Sequence, residues 1–200
     1  MGNTEIFERM AAGYDTPERI HIARVAADAI RAHAADAKDK TAVDFGCGTG
    51  LVGMNLLEDF KTMLFLDSSP NMINRIQQKI AEFHIPNADT LCLDLEQEAG
   101  AELKADYIFM AQVLLHIPEV EPVLTRLYEA LHPGGHLLIV DFDKNEHIVS
   151  DLVHNGFDQR ELISLMKQIG FTEVNAETIY TGKQIFMNQD ASMFILDAHK

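Results

Sequence analysis

From Thr41 onward the sequence switches repeatedly between two periodicities, and this constrains the fold more than any other feature. Short β-type runs read TAVDFG, TMLFLD, ADTLCLD, ADYIFMAQ and HLLIVDF. Between them lie helical spacings over 51–60, from Ser68-Ser69-Pro70 to about Phe83, and over 119–131, the last stopped by Pro133-Gly134-Gly135. An acidic connector containing glycine joins the third run to the fourth. Strands separated by helices of this length do not pair as hairpins. They form a parallel sheet with right-handed crossovers and helices on both faces. The predicted class is α/β, a doubly wound Rossmann-like sheet.

The flanks read differently. Residues 5–12 have the spacing of a short helix, which GYDTPERI breaks and restarts. Thr16 is a helix N-cap, Pro17 suits the first helical position, and Ile20, Ala23, Ala27 and Ile30 continue the pattern to about Ala35. After Phe142, DKNEHIVSDLVHNG is a polar loop and 158–169 a helix closed by Gly170. FTEVNAETIY, TGKQIFMNQDA and SMFILDA are then closing strands, the last pair antiparallel. One domain is expected over 1–200: a helical arm (1–40), a cofactor-binding core (41–142), and a lid loop, helix and closing strands (143–200).

Composition excludes several classes. With 31 acidic residues against 16 basic ones the net charge is −15, so no basic footprint exists for nucleic acid, and an anionic membrane surface is disfavoured. A neutral or cationic small molecule is compatible with that charge. Two cysteines, Cys47 and Cys92, make no disulfide framework and point to a reducing, cytoplasmic compartment. No apolar run approaches the roughly 18 residues of a membrane span. The first residues lack a basic end followed by an apolar block, so no signal peptide is expected.

Chemistry in an open α/β sheet gathers beyond the carboxyl ends of the strands. Here those ends carry Asp44 with Gly46, Gly48 and Gly50, then Asp67, Asp94, and Gln112 with His116. An aspartate after a strand is often a turn former. The spacing makes these jointly informative. Asp67 lies about twenty residues past the glycine loop, where a carboxylate accepts hydrogen bonds from a ribose diol. Asp94, one strand further on, can meet an adenine amino group. Alternate glycines leave main chain open to a ligand, and a helix following them would present free N–H groups.

Two cofactors suit this arrangement. Gly48-Thr49-Gly50-Leu51-Val52-Gly53 fits the dinucleotide pattern G-x-G-x-x-G. That motif, however, starts directly after the strand, here at Gly46, and counting from Gly46 puts its third glycine position on Leu51. The other reading is S-adenosyl-L-methionine. VDFGCGTG resembles the glycine-rich motif of the class I S-adenosylmethionine-dependent methyltransferases, and LFLDSSPNMI, LCLDLE, MAQVLLHI and LHPGGHLLIVDF resemble their later motifs in order. FERMAAGYD resembles the N-terminal F-[DE]-x-x-A-x-x-Y-D segment of their small-molecule subgroup. The resemblance runs from Phe7 to about Phe142.

The resemblance implies a seven-stranded sheet of order 3-2-1-4-5-7-6 with its last strand antiparallel, and a helical arm over the cofactor. It implies cofactor contacts from Tyr14, Asp44, Gly46, Cys47, Gly48 and Gly50, from Asp67 (ribose) with Ser68, from Met72, Asp94 and Leu95 (adenine), and from Gln112. The implied reaction is methyl transfer to an O, N or C nucleophile of a small molecule. The sulfonium supplies the reactivity, and the protein supplies in-line orientation. His116 is the candidate base or substrate contact, and His154 falls in the expected lid (144–157). A nicotinamide-dependent oxidoreductase and a non-catalytic S-adenosylmethionine-binding protein are the alternatives. No metal site is expected, because Pro133, Gly134 and Gly135 deny His132 and His136 a shared helical face. No G-x-S-x-G and no P-loop pattern occurs.

Overall fold

The structure is a computed structural model describing residues 15–94 and 103–200. Seven strands occur in chain order: β1 (Thr41–Phe45), β2 (Thr62–Asp67), β3 (Ala88–Cys92), β4 (Ala105–Ala111), β5 (Leu131–Phe142), β6 (Thr172–Phe186) and β7 (Gln189–His199). Four α-helices accompany them: α1 (Pro17–His33), α2 (Pro70–Phe83), α3 (Val120–Ala130) and α4 (Gln159–Ile169). The sheet order is β3-β2-β1-β4-β5-β7-β6, as the resemblance implied. β1 to β5 pair in parallel, and β7 is antiparallel to both neighbours.

Local chemistry sets the helix starts. Thr16 Oγ1 accepts the Arg19 N–H at 3.3 Å ahead of Pro17. Ser69 Oγ accepts the Met72 N–H at 3.2 Å ahead of Pro70, and Asp158 Oδ1 accepts from Arg160 and Glu161 at 2.8 and 3.1 Å. Each cap satisfies backbone donors that the helix leaves open, and is worth about 1 kcal/mol.

The pleat then sorts side chains between two cores. Leu138, Val140 and Phe142 of β5 and Met193 and Ile195 of β7 face α1 and α2, joining Ile22, Ile30, Ile73 and Ile76. Leu137 and Ile139 of β5 and Phe194 and Leu196 of β7 face α3 and α4, joining Leu124, Leu127, Leu162 and Met166. Both faces are dry, so the parallel strands read as nearly continuous apolar runs. Among the described residues, no helix is long and apolar enough to cross a membrane.

Four expectations need correction. Residues 51–60 are not an α-helix but turns around a 3-10 turn, Gly53–Asn55. The Gly53 N–H is taken by Asp44 Oδ2 at 3.0 Å and the Leu51 carbonyl by the Asn55 side chain at 2.7 Å; Met54 makes one four-residue bond, to the Gly50 carbonyl, and the bonds from Asn55, Leu56 and Asp59 span three residues. Leu56 and Phe60 are still buried, so the apolar anchors hold without a helical ladder. β3 ends at Cys92, two residues before Asp94. β5 starts at Leu131 and passes through Pro133-Gly134-Gly135, where its register against β4 shifts. The three closing segments are two strands: β6 runs on through Tyr180 to Phe186, and the chain reverses at Met187 and Asn188. These two have φ of 48° and 61°, the left-handed pair that matches a hairpin to the twist of its strands. The helix expected over 5–12 lies outside the described residues.

Candidate active site

A pocket opens over the carboxyl ends of β1, β2 and β4, roofed by α1. Asp44, Gly46, Cys47, Gly48, Asp67, Ser68, Met72, Asp94, Gln112 and His116 all line it. These residues span more than seventy positions, and the parallel sheet gathers them. Gly50 does not line the pocket; it turns the loop behind it at φ +81°, its N–H bonded to the Cys47 carbonyl at 2.8 Å. Tyr14 and Leu95 lie outside the described residues.

The loop shape follows from space and φ. Gly46 has φ +67°, and a Cβ there would lie 2.6 Å from Val113 Cγ1. Gly53 leaves room for Asp44: a Cβ would lie 2.5 Å from Asp44 Oδ2 and from Phe65 Cε1. Gln112, a non-glycine residue, takes φ 55° at the tip of β4. Strain of that kind, about 1–3 kcal/mol, persists where surroundings over-determine it, commonly at functional sites.

Several loop N–H groups are taken within the protein, contrary to expectation. Gly46 and Cys47 both donate to the Leu66 carbonyl, at 2.8 and 3.0 Å, and Gly48 donates to Asp67 Oδ2 at 2.8 Å. Asp67 Oδ1 accepts the Ser69 N–H at 2.9 Å. Asp67 thus ties the loop to the start of α2 at the wall of the pocket. The polar surface is rich in acceptors: the carboxyl groups of Asp44, Asp67 and Asp94, with Arg19 of α1 as a cation on the lining.

Burial tunes several groups. Asp44 is pushed up to about 7, by desolvation first, with the Gly53 N–H opposing and the Asp67 charge adding. Burial lowers His116 to about 4, so the imidazole is neutral at physiological pH. Desolvation, then the charges of Asp44 and Asp67, pushes the Cys47 thiol well above its usual range, which removes it as a nucleophile. His154 Nε2 lies 2.8 Å from the Ile117 carbonyl, and its N–H donates to the Leu115 carbonyl at 2.8 Å. The 144–157 loop is therefore pinned to the turn that carries His116.

Sequence reading missed a second clasp. Asp15 accepts from Thr49 Oγ1 at 2.5 Å and from Lys79 Nζ at 3.2 Å, and Lys79 also donates to the Thr49 carbonyl at 2.7 Å. This joins the segment before α1, the glycine loop and α2. Asp15 closes the FERMAAGYD motif, so half of the clasp was visible; Lys79 sits in an ordinary helical pattern and gave no sign.

Sheet order, the antiparallel β7, the glycine loop after β1 and the carboxylates at the strand tips together define the class I methyltransferase fold. A family model described as a methyltransferase domain matches residues 43–137, from β1 into β5. The match covers the core of the sheet, and the fold of the whole described chain is that of the class I methyltransferases. An uncharacterized methyltransferase of Schizosaccharomyces pombe is 27% identical over 156 residues, covering 68% of this chain and 54% of its own length. Phosphoethanolamine N-methyltransferase 2 of Caenorhabditis elegans is 27% identical over 149 residues, covering 70% of this chain and 34% of its own length. The chain thus spans about half and about a third of these two relatives. The N-methyltransferase NodS of Bradyrhizobium japonicum WM9, solved with S-adenosyl-L-homocysteine, superposes with a TM-score of 0.76 at 18% identity, covering 100% of this chain and 99% of that one.

Proposed function

We propose that this chain binds S-adenosylmethionine across the tips of β1, β2 and β4 and transfers its methyl group to a small-molecule nucleophile. The observation that carries this reading is the polarity of the pocket. Its carboxyl groups accept, and the N–H groups of Gly46, Cys47, Gly48 and Gly50 are already spent on Leu66, Asp67 and Cys47. S-adenosylmethionine brings a sulfonium cation, a ribose diol and an adenine amino group, all suited to acceptors. A dinucleotide brings a pyrophosphate, which needs free N–H groups at a helix start. After this glycine loop comes a 3-10 turn, not an α-helix.

In this reading Asp67 accepts from the ribose with Ser68 beside it, and Asp94, Leu95 and Met72 hold the adenine. Gly46, Cys47 and Gly48 let the methionine part lie close to the main chain, Gly50 holds their shape, and Gln112 and Asp44 lie beneath it. Arg19 answers the methionine carboxylate, and Tyr14 closes from the arm. Residues 41–142 carry the cofactor, with 1–40 and 143–200 completing one domain. His116, neutral over the working range, accepts a hydrogen bond from the nucleophile and so orients its lone pair; with a pKa of about 4 it is a weak proton acceptor. The net charge of −15 draws cations, and both named relatives with a stated activity methylate nitrogen, so small amines come first among the O, N and C acceptors.

Calorimetric titration with S-adenosylmethionine, S-adenosylhomocysteine and NADH tests the cofactor. Binding of the first two and not of NADH is expected, with Asp67→Ala weakening them at least tenfold, about 1.4 kcal/mol. An affinity within about twofold of the wild type (roughly 0.4 kcal/mol) would remove the ribose assignment. Labelled methyl transfer to a panel of small amines, phosphoethanolamine included, tests the reaction. Cofactor binding without turnover on any O, N or C acceptor would leave a binding protein on this fold.

A further inference from the structure

The opposite end of the sheet carries a cluster that the methyl-transfer reading does not use. His136 on β5 and His199 on β7 are directly paired across the antiparallel ladder. Asp197 lies two residues before His199, on the same face. His136 Nδ1 is 3.0 Å from Asp197 Oδ1, and His199 Nε2 is 3.6 Å from Asp197 Oδ2. The three ligand-capable atoms all lie within 4.8 Å of one another. We propose that His136, Asp197 and His199 form a binding site for one divalent transition ion of the zinc type.

Two further features support the site. The first is the outer shell. Histidines that hold a metal through one ring nitrogen usually donate the other N–H to a carboxylate. His199 points Nε2 at Asp197 and has Nδ1 3.6 Å from Glu173 Oε2. His33, from the last turn of α1, places Nδ1 3.2 Å from Asp197 Oδ2 and Nε2 3.5 Å from Glu177 Oε1. The second is rigidity. All three ligands stand on two adjacent strands inside the sheet, and the His136 ring stacks on Tyr107 at 4.7 Å and 7°.

The donor set decides the ion. Two imidazoles and one carboxylate suit zinc, cobalt, nickel or copper; calcium and magnesium prefer oxygen alone. Three protein ligands leave a tetrahedral position for water. The ion would tie the last strand to the centre of the sheet and, through His33, to α1. The sequence reading missed it because it tested His132 and His136 as a helical pair, whereas His132 turns to Asp106 at 3.2 Å. The partners of His136 are more than sixty residues away, and no short motif joins them.

The test uses tag-free full-length protein, stripped with a chelator and titrated with zinc chloride against a chromophoric competitor. One equivalent is expected at micromolar affinity or tighter, with a rise in melting temperature. His199→Gln and His136→Gln each weaken zinc at least tenfold; His84→Ala and His147→Ala, exposed histidines elsewhere, leave it unchanged. Cobalt in place of zinc gives visible d–d bands that His199→Gln abolishes, a readout independent of folding stability. Affinity weaker than millimolar, or affinity indifferent to the His136 and His199 variants, would overturn the site. So would a cluster that responds only to pH, with no ion retained.

Discussion

Asp141→Asn separates two physical effects at one buried carboxyl group. Asp141 is fully buried near the end of β5. Its Oδ1 accepts the Phe142 N–H at 2.8 Å, and its Oδ2 accepts the Leu115 N–H at 3.2 Å, which anchors the turn carrying His116. Desolvation pushes this carboxyl from 3.8 up to about 7, against the lowering by those backbone donors. Between these two values the folded chain keeps a proton that the unfolded chain releases. Stability from this group therefore falls as pH rises through the window. From pH 5 to pH 8 the loss is about 2–3 kcal/mol. Asparagine does not titrate, so it removes that slope. It also replaces one accepting oxygen with a donor, leaving a buried N–H unpaired at about 1–3 kcal/mol. The variant should be less stable than the wild type at pH 5, and the gap should close or reverse by pH 8. Urea unfolding of both proteins at four pH values measures it, because subtracting the curves cancels the other titrating groups. A gap constant within about 0.5 kcal/mol across the window would refute the burial argument.

Three other outcomes are expected. Gly53→Ala would press a methyl group onto Asp44 and Phe65 and should lower stability by about 1–3 kcal/mol in urea unfolding; an unchanged midpoint would mean that the loop does not pack on Asp44. Thiol labelling of the native protein should modify exposed Cys92 quickly and buried Cys47 at least tenfold more slowly, and equal rates by peptide mass mapping would contradict the raised Cys47 thiol. Lys79→Ala opens the clasp among Asp15, Thr49 and α2, and should weaken S-adenosylmethionine binding about threefold or more in calorimetry with little change in melting temperature.

What the sequence made legible was whatever rests on short-range pattern. Ser69-Pro70 and Thr16-Pro17 announced two helix starts because cap and first turn are adjacent in the chain. The strand tips were legible because an aspartate ends each apolar run at Asp67 and Asp94, although β3 itself stops at Cys92. The 51–60 segment misled for a physical reason. Its apolar spacing satisfies a helix, but Asp44, already placed by β1, captures the Gly53 N–H that a helix would use. Tertiary contact overrode the local period. The hairpin at Met187-Asn188 was hidden in the same way: neither residue is a glycine, yet both take the left-handed conformation that the two-residue turn demands.

The two ends of the sheet differ in legibility because they are built differently. At the carboxyl ends of the parallel strands, each functional group follows a strand directly, so one strand and its loop form a readable unit. At the other end, β7 enters in reverse between β5 and β6, bringing Asp197 and His199 beside His136 from a distant part of the chain. No local period encodes that meeting. Antiparallel insertion converts three unremarkable polar positions into a cluster around a single carboxylate. The register of β5 on β7 is what specifies it: a slip of one residue would turn Asp197 and His199 to the other face and send Leu196 and Ala198 out of their core. The buried pairs Leu138 with Asp197 and Ile139 with Leu196 exclude that slip, so the core that closes the fold also holds this cluster in place.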